Sequence, residues 1–408
     1  MSADAKVSRL AEVGSPPGSA SEIFLAFLKL GLTSFGGPIA HLGYFRAEFV
    51  ERRRWLGERA YVDLVALSQF LPGPASSQTG FAIGLMRGGR LGGLAAWAGF
   101  TLPSAVLMLL FAFGAGSLAD TAWGVGLLHG LKLVAVAIVA QAVLGMARSL
   151  CPDRPRASIA TAALVLLLFV PGSLAQVGAI ALGGAAGLAL CRDGGATVPD
   201  SVSMPVSRRL GIACLAAFFA LLALSFVPVE RSLLALFAAF YRSGALVFGG
   251  GHVVLPLLRD AVVAPGWVSD NAFLAGYGAA QAVPGPLFAF AAYLGAVAGA
   301  PPAGVAGALV GLVAIFLPGM LALVGALPFW HELRALAPAQ AAMRGINAAV
   351  VGLLAAALYN PVWTSAVREP PDLAIAATGF VLLVVWRAPP LVVVLMCAVA
   401  GMALAVAR

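Results

Sequence analysis

The sequence predicts an all-α polytopic membrane protein built from two homologous halves, the second inverted relative to the first, each with Gly/Pro-broken re-entrant helices. Three observations carry this reading. Hydrophobic residues make up 61% of the 408 and charged residues only 10%, with a mean hydropathy of +0.97; a water-soluble domain of that composition would expose enough apolar surface to aggregate. Apolar runs such as 91–116, 124–146 and 302–326 are continuous. At roughly 20 residues per hydrocarbon crossing each can span as a helix, whereas barrel strands would alternate apolar and polar residues. Finally, Phe35-Gly36-Gly37-Pro38 and Gln69-Phe70-Leu71-Pro72-Gly73-Pro74 return as Phe248-Gly249-Gly250-Gly251 and Gln281-Ala282-Val283-Pro284-Gly285-Pro286. Phe35 precedes Gln69 by 34 positions and Phe248 precedes Gln281 by 33, and Trp55/Trp267 and Pro103/Pro318 fall on the same alignment.

Residues 1–20 are polar, with Lys6, Arg9, Ser15, Pro16 and Pro17, and read as a cytoplasmic tail rather than a removable signal peptide. The first repeat follows over 21–191. Within it the stretch 60–86 is broken by Pro72-Gly73-Pro74 and flanked by Arg46, Arg52, Arg53, Arg54 and Arg59 on one side and Arg87 and Arg90 on the other. Both basic flanks favour the cytoplasm. Two half-helices of about 12 residues reach only ~18 Å, so a hairpin that enters and leaves on one face fits better than a crossing. The same reasoning applies to 22–49, interrupted at Gly36-Gly37-Pro38, provided the N-terminus with Lys6 and Arg9 is also cytoplasmic; a kinked single crossing is the alternative there. Residues 192–209 form a polar cytoplasmic linker containing Arg192, Asp193, Pro199, Pro205, Arg208 and Arg209. An apolar segment over 210–228 has no first-half counterpart, and one extra crossing would turn the second repeat, 229–408, upside down.

Loop charges agree, because Lys and Arg concentrate on the cytoplasmic side. The five arginines after the first Phe-Gly-Gly segment face only Arg259 in the second half, Asp120 faces Arg334 and Arg344, and Arg148, Arg154 and Arg156 face only Arg368 beside Glu369 and Asp372.

Irregular backbone at membrane depth survives only where protein or a water-filled cavity satisfies it. Half-helices starting near Pro38, Pro74, Gly251 and Pro286 would aim positive dipole ends and free N–H groups at one spot, a geometry that binds oxyanions. The bland reading is that these Gly and Pro residues only kink helices and permit close packing; four motifs in paired register weigh against it. The candidate substrate contacts are therefore Ser34, Phe35, Gly36, Gly37, Pro38, Gln69, Pro72, Gly73 and Pro74, with Arg242, Phe248, Gly249, Gly250, Gly251, His252, Gln281, Pro284, Gly285 and Pro286. Lys29, His41, Arg46, Asp63 and Gln78 are secondary candidates, since intramembrane polar groups mark function by default while Lys29 and Arg46 can equally snorkel. Ser76 and Ser77 add neutral donors. His129 and Lys132 have no partner motif and are expected to face a loop or a cavity.

Along essentially the whole length, Leu30-Gly-Leu-Thr-Ser-Phe-Gly-Gly-Pro-Ile-Ala-His41, Glu51-Arg-Arg-Arg-Trp-Leu56, Ser68-Gln-Phe-Leu-Pro-Gly-Pro-Ala-Ser-Ser-Gln78, Phe248-Gly-Gly-Gly-His252 and Ala280-Gln-Ala-Val-Pro-Gly-Pro286 make the chain resemble the chromate ion transporter family in its long, two-domain form. The resemblance implies a multi-pass protein of the bacterial inner membrane that exports chromate and confers resistance, with sulfate as a look-alike anion. A sulfate or other oxyanion uptake system, or a passive anion channel, is the alternative on the same fold. Homodimerisation is left open.

Other classes fit poorly. The net charge of +8 comes from Lys and Arg in short loops beside apolar spans, where topology explains it without nucleic acid. Cys151, Cys191, Cys214 and Cys397 are scattered without metal-ligand or redox spacing. No GxxxxGK[ST] motif is present to bind ATP, and no flavin or nicotinamide fingerprint or other cofactor motif suggests a chromate-reducing enzyme.

Overall fold

Serine and aspartate caps start many of the helices. Ser19, Ser207, Ser232 and Ser269 each accept a backbone N–H from the first turn that follows, and Asp153 does the same for Arg156, satisfying donors the helix itself leaves open. In this computed structural model, which describes residues 18–119, 121–170, 172–191, 206–230, 232–299 and 303–407, every element among the described residues is helical. The N-terminal tail up to residue 17 and most of the expected linker, 192–205, lie outside the described residues.

The first half contains α1 (Ala20–Thr33), α2 (Gly37–Phe45, extended by a π-turn over Arg46–Arg52), α3 (Glu58–Phe70), α4 (Ala75–Ala119), α5 (Ala122–Leu150), α6 (Arg154–Phe169) and α7 (Ser173–Leu190). Helix α8 (Arg208–Leu224) is the additional segment. Then come α9 (Leu233–Ala245), α10 (Val254–Val262), α11 (Asp270–Ala280), α12 (Phe290–Val297), α13 (Val305–Ala326) and the short α14 (Trp330–Ala335), followed by α15 (Ala337–Ala357), α16 (Thr364–Ala366), α17 (Pro370–Val384) and α18 (Pro390–Ala407). Gly88 and Gly89 leave helical geometry inside α4, dividing it into arms 75–87 and 90–119. The expected apolar runs thus fall on the second arm of α4, on α5 and on α13.

The broken helices fold back on themselves. Trp55, ahead of α3, stacks on Phe49 at 4.8 Å and carries the Arg87 guanidinium 5.1 Å from its ring centroid. Arg87 closes the first arm of α4, so the chain returns to where it entered. Phe27 of α1 stacks on Phe49 at 4.6 Å, and Gly18 donates its N–H to the Arg87 carbonyl at 2.9 Å. The open ends of α1–α2 and of α3–α4 therefore meet at one place. In the second half Gly299 N–H donates to the Trp267 carbonyl at 2.8 Å, which is the same pairing 212 positions on, 267 against 55 and 299 against 87.

Long helices then bind the halves together in swapped pairs. Helix α5 packs on α18 and α15 packs on α7, each through small residues: a Cβ at Gly130 would lie 2.3 Å from the Cys397 carbonyl oxygen, and one at Gly345 would lie 2.0 Å from that of Gly183. Small residues are how membrane helices reach van der Waals contact when lipid removes the hydrophobic driving force. Phe169, Leu174 and Trp386 stand 82%, 80% and 75% exposed, apolar surface suited to lipid tails and costly in water.

Overpacking at such a contact costs about 1–3 kcal/mol, so Gly345→Ala is expected to lower thermal stability in detergent. Gly145, inside the C-terminal part of α5 with open space at its Cβ position, is the control: Gly145→Ala is expected to be neutral or stabilising by up to about 1 kcal/mol.

Candidate functional site: four hairpin tips

The four recurring motifs are the tips of the hairpins. Helix α1 ends at Thr33, and Gly36 and Gly37 take φ of 101° and 79° at the cap and first residue of α2; α9 ends at Ala245, and Gly249 and Gly250 take 73° and 150°. At the second tip of each half, Gly73 and Gly285 have φ of 118° and 99°, a region that side chains with a Cβ rarely enter.

The tips of one half bond to the tips of the other. Gly73 N–H donates to the Val247 carbonyl at 2.8 Å, and Gly285 N–H donates to the Ser34 carbonyl at 2.9 Å. Val247 immediately precedes Phe248 and Ser34 immediately precedes Phe35, so each Pro-Gly-Pro glycine reaches the Phe-Gly-Gly segment of the opposite repeat. Packing repeats the exchange. The Cβ position of Gly73 lies 2.9 Å from Gly319 Cα, that of Gly285 lies 3.0 Å from Ser104 Oγ, and that of Gly251 lies 3.3 Å from Pro38 Cγ. Gly319 and Ser104 each follow the matching prolines Pro318 and Pro103.

Neutral polar groups surround these contacts. Gln78 Nε2 donates to the carbonyls of Pro72 at 2.9 Å and Gly319 at 2.8 Å. His41 Nδ1 lies 3.5 Å from Ser76 Oγ, and Ser104 Oγ donates to the Thr101 carbonyl at 2.9 Å. Ser34 Oγ, His41 Nε2, Ser77 Oγ, Gln78 Oε1, Thr101 Oγ1 and Gln281 Nε2 are buried without a protein partner, and buried groups of this kind call for a water, an ion or a ligand. The N-terminal turns after Gly36, Gly250 and Pro286 carry no side-chain cap. A Cβ at Gly37 would meet nothing within 4 Å, so the start of α2 is open to an approaching group.

The expected residues separate cleanly by place. Ser34, Phe35, Gly36, Gly37, Pro38, Pro72, Gly73, Pro74, Phe248, Gly249, Gly250, Gly251, Gln281, Pro284, Gly285 and Pro286 make up the tips, with His41 and Gln78 against them. Gln69 is exposed while its counterpart Gln281 is half-buried. His252 is joined to Tyr277, its Nδ1 2.6 Å from the phenol oxygen. The expected cations are engaged or turned outward: Arg242 donates to the Ser225 carbonyl at 2.9 Å and lies over Phe226, Arg46 pairs with Glu58 at 2.8 Å and with Glu51, and Lys29 is exposed. Asp63 pairs with Arg334 at 2.7 Å. Thr101, Ser104 and Gly319 escaped the sequence reading, although each lies within two residues of Pro103 or Pro318 on the repeat alignment. Asn347, whose Oδ1 is 3.4 Å from the Cβ position of Gly249, had no motif to mark it.

Comparison with known proteins places this geometry in context. The family described as chromate transporter matches residues 21–188 and 234–402, one region for each half. The chain is 32% identical over 400 residues to a chromate transport protein of Pseudomonas aeruginosa, covering 96% of this chain and 93% of that protein. It is 27% identical over 374 residues to a chromate transport protein of Cupriavidus metallidurans, covering 90% and 89% of the two chains. A probable chromate transport protein of Synechococcus elongatus is 27% identical over 356 residues, 84% of each chain. No solved structure matches the chain significantly.

Placing a side chain at a positive-φ glycine costs about 1–3 kcal/mol, so Gly73→Ala and Gly285→Ala are each expected to lower stability by that amount. Because both act on one interface, the double variant is expected to cost less than the sum of the two. Thermal unfolding of the four proteins in detergent reads the coupling, and strict additivity would mean that the two contacts are independent.

Proposed function

Because the chain belongs to the chromate transporter family, we propose that it exports chromate across the bacterial inner membrane, through a site formed where the hairpin tips of the two halves meet, and so confers chromate resistance. The observation that carries this reading is the reciprocal tip exchange, Gly73 to Val247 and Gly285 to Ser34. It gathers uncapped helix starts and unpartnered neutral donors from both halves at one location.

The chemistry suits a tetrahedral dianion. Helix N-termini offer backbone N–H groups and a positive dipole end, and Ser34, Ser77, Thr101 and Gln281 bring donors without net charge. A site of this composition releases its anion more readily than one built on ammonium or guanidinium groups, which hydrogen-bond oxyanions about twice as strongly. Sulfate has the same shape and charge and is the expected competitor.

Short arms support a re-entrant reading of the hairpins. The first arm of α4, residues 75–87, reaches only about 20 Å at 1.5 Å per residue, less than the ~30 Å hydrocarbon core. Arg53 and Arg87 both lie over the Trp55 ring at the open end of the first-half hairpins, as a cytoplasmic entrance and a cytoplasmic N-terminus would require. With the second half inverted, its hairpins enter from the other face, and rocking of one repeat against the other would open the site alternately to each side.

Membrane potential is sufficient to drive export. One charge crossing 100 mV is worth about 2.3 kcal/mol, so a dianion leaving a negative interior gains roughly 4.6 kcal/mol. Everted vesicles with chromate outside and an interior-positive potential are therefore expected to accumulate chromate, sulfate is expected to compete, and Gly36→Ala and Gly249→Ala are expected to abolish uptake while the protein still inserts. Uptake no faster than in vesicles lacking the protein would rule out export, and equal losses of insertion and uptake would reduce the glycines to packing.

A further inference from the structure

A cavity of about 680 Å³ lies away from the tips, between α5, α11, α12, α17 and α18, and His129 and Lys132, the two polar residues for which the sequence offered no partner, both line it. Lys132 is only 7% exposed, and its Nζ donates to Asn271 Oδ1 at 3.1 Å. An ammonium carries three donors, so two remain for a ligand. Arg368 lines the same cavity from the chain just before α17.

The acidic groups of the cavity are occupied. Asp372, 1% exposed, takes His129 Nε2 on Oδ1 at 2.8 Å and the backbone N–H groups of Arg368 and Glu369 on Oδ2 at 3.0 and 3.2 Å. Glu369 in turn accepts the backbone N–H of Asp372, completing a reciprocal capping box. Both carboxylates thus serve the start of α17 and His129. Asp372 and Glu369 line the cavity beside Lys132 and Arg368, yet among the described residues neither cation makes a direct ion pair with them; the free donors of the buried Lys132 and the Arg368 guanidinium are what the cavity offers an incoming anion.

The cavity is also connected to the tips. Asn271 belongs to the first turn of α11, and the other end of that 11-residue helix runs directly into Gln281 and the Pro284-Gly285-Pro286 tip, about 16 Å away at 1.5 Å per residue. Helix α5, which carries Lys132, lies against α11 over this distance, with the Cβ position of Gly278 only 2.0 Å from the Leu131 carbonyl oxygen. We propose that the cavity is a second anion site, an antechamber in which Lys132 and Arg368 hold a tetrahedral dianion such as chromate or sulfate on its path to or from the tips. The staging role rests on the tips being the transport site; the binding does not.

The two are separable by experiment. In the purified full-length protein, chromate titration is expected to show two bound anions per chain, reduced to one in Lys132→Gln combined with Arg368→Gln. In vesicles the same variant is expected to raise the transport KM about tenfold, the loss of charge-assisted bonds to one ligand, with Vmax little changed, whereas Lys132→Arg keeps the original KM. Arg368→Gln alone, at an exposed position outside the helices, is expected to show the same direction of change should the Lys132 variant fail to insert. Gly36→Ala is expected to lose transport yet still bind one chromate in the cavity. An unchanged stoichiometry and KM in the double variant would overturn the antechamber. So would a phospholipid phosphate found by mass spectrometry in the purified protein, protected by Lys132 and not displaced by chromate. Normal transport by Gly36→Ala would instead overturn the tip site and leave the cavity binding intact.

Discussion

Two backbone hydrogen bonds, Gly73 to Val247 and Gly285 to Ser34, hold the centre of the molecule together. Each joins the second broken helix of one repeat to the first broken helix of the other, so neither repeat completes its own tips. In hydrocarbon an unsatisfied backbone group costs several kcal/mol, and breaking a helix frees several such groups at once. The exchange satisfies part of that demand across the repeat boundary. It also explains why proline flanks the glycine: Pro72, Pro74, Pro284 and Pro286 have no N–H to satisfy, leaving the glycine as the one donor of each Pro-Gly-Pro, and that donor is the one used.

The remainder of the fold serves this exchange. The swapped pairings of α5 with α18 and of α15 with α7 clasp one half to the other from outside, while the aromatic cluster of Phe27, Phe45, Phe49, Trp55 and Phe100 fixes the open ends of the first-half hairpins. Charges are handled at the periphery, where Arg46, Arg52, Arg53 and Arg156 pair with nearby carboxylates. What remains at the centre is neutral and donor-rich. On the proposed route a dianion would meet oriented dipoles at the tips and the Lys132 and Arg368 side chains in the cavity.

Duplication, membrane residence and the broken helices were all legible from the sequence, because Phe-Gly-Gly and Pro-Gly-Pro keep their spacing and because glycine and proline have few other reasons to recur in register. The Trp55 and Trp267 alignment likewise marks the hairpin ends, seen as the Arg87 and Gly299 contacts. Which tip meets which was hidden, since the contacts run from glycine N–H to the carbonyls of Ser34 and Val247, and a backbone acceptor leaves no requirement on residue type. The ion-pair partners of the candidate charges were also hidden: Arg46 pairs with Glu51 and Glu58, and Asp63 pairs with Arg334 from the other half. Lys132 and Arg368 lie 236 positions apart in unrelated segments, and only the packing of α17 against α5 brings them to one cavity.

Contact between Pro38 and Gly251, with the Cβ position of Gly251 3.3 Å from Pro38 Cγ, offers the most direct test that the two repeats share one site. Neither residue makes the reciprocal hydrogen bonds, so Pro38→Cys combined with Gly251→Cys leaves the exchange in place. A disulfide between them, bridging the repeats within one chain, is expected to form on mild oxidation, to arrest chromate transport and to release it on reduction. Failure of the two cysteines to cross-link, or full transport with the bridge closed, would contradict a site formed jointly by the tips of both halves.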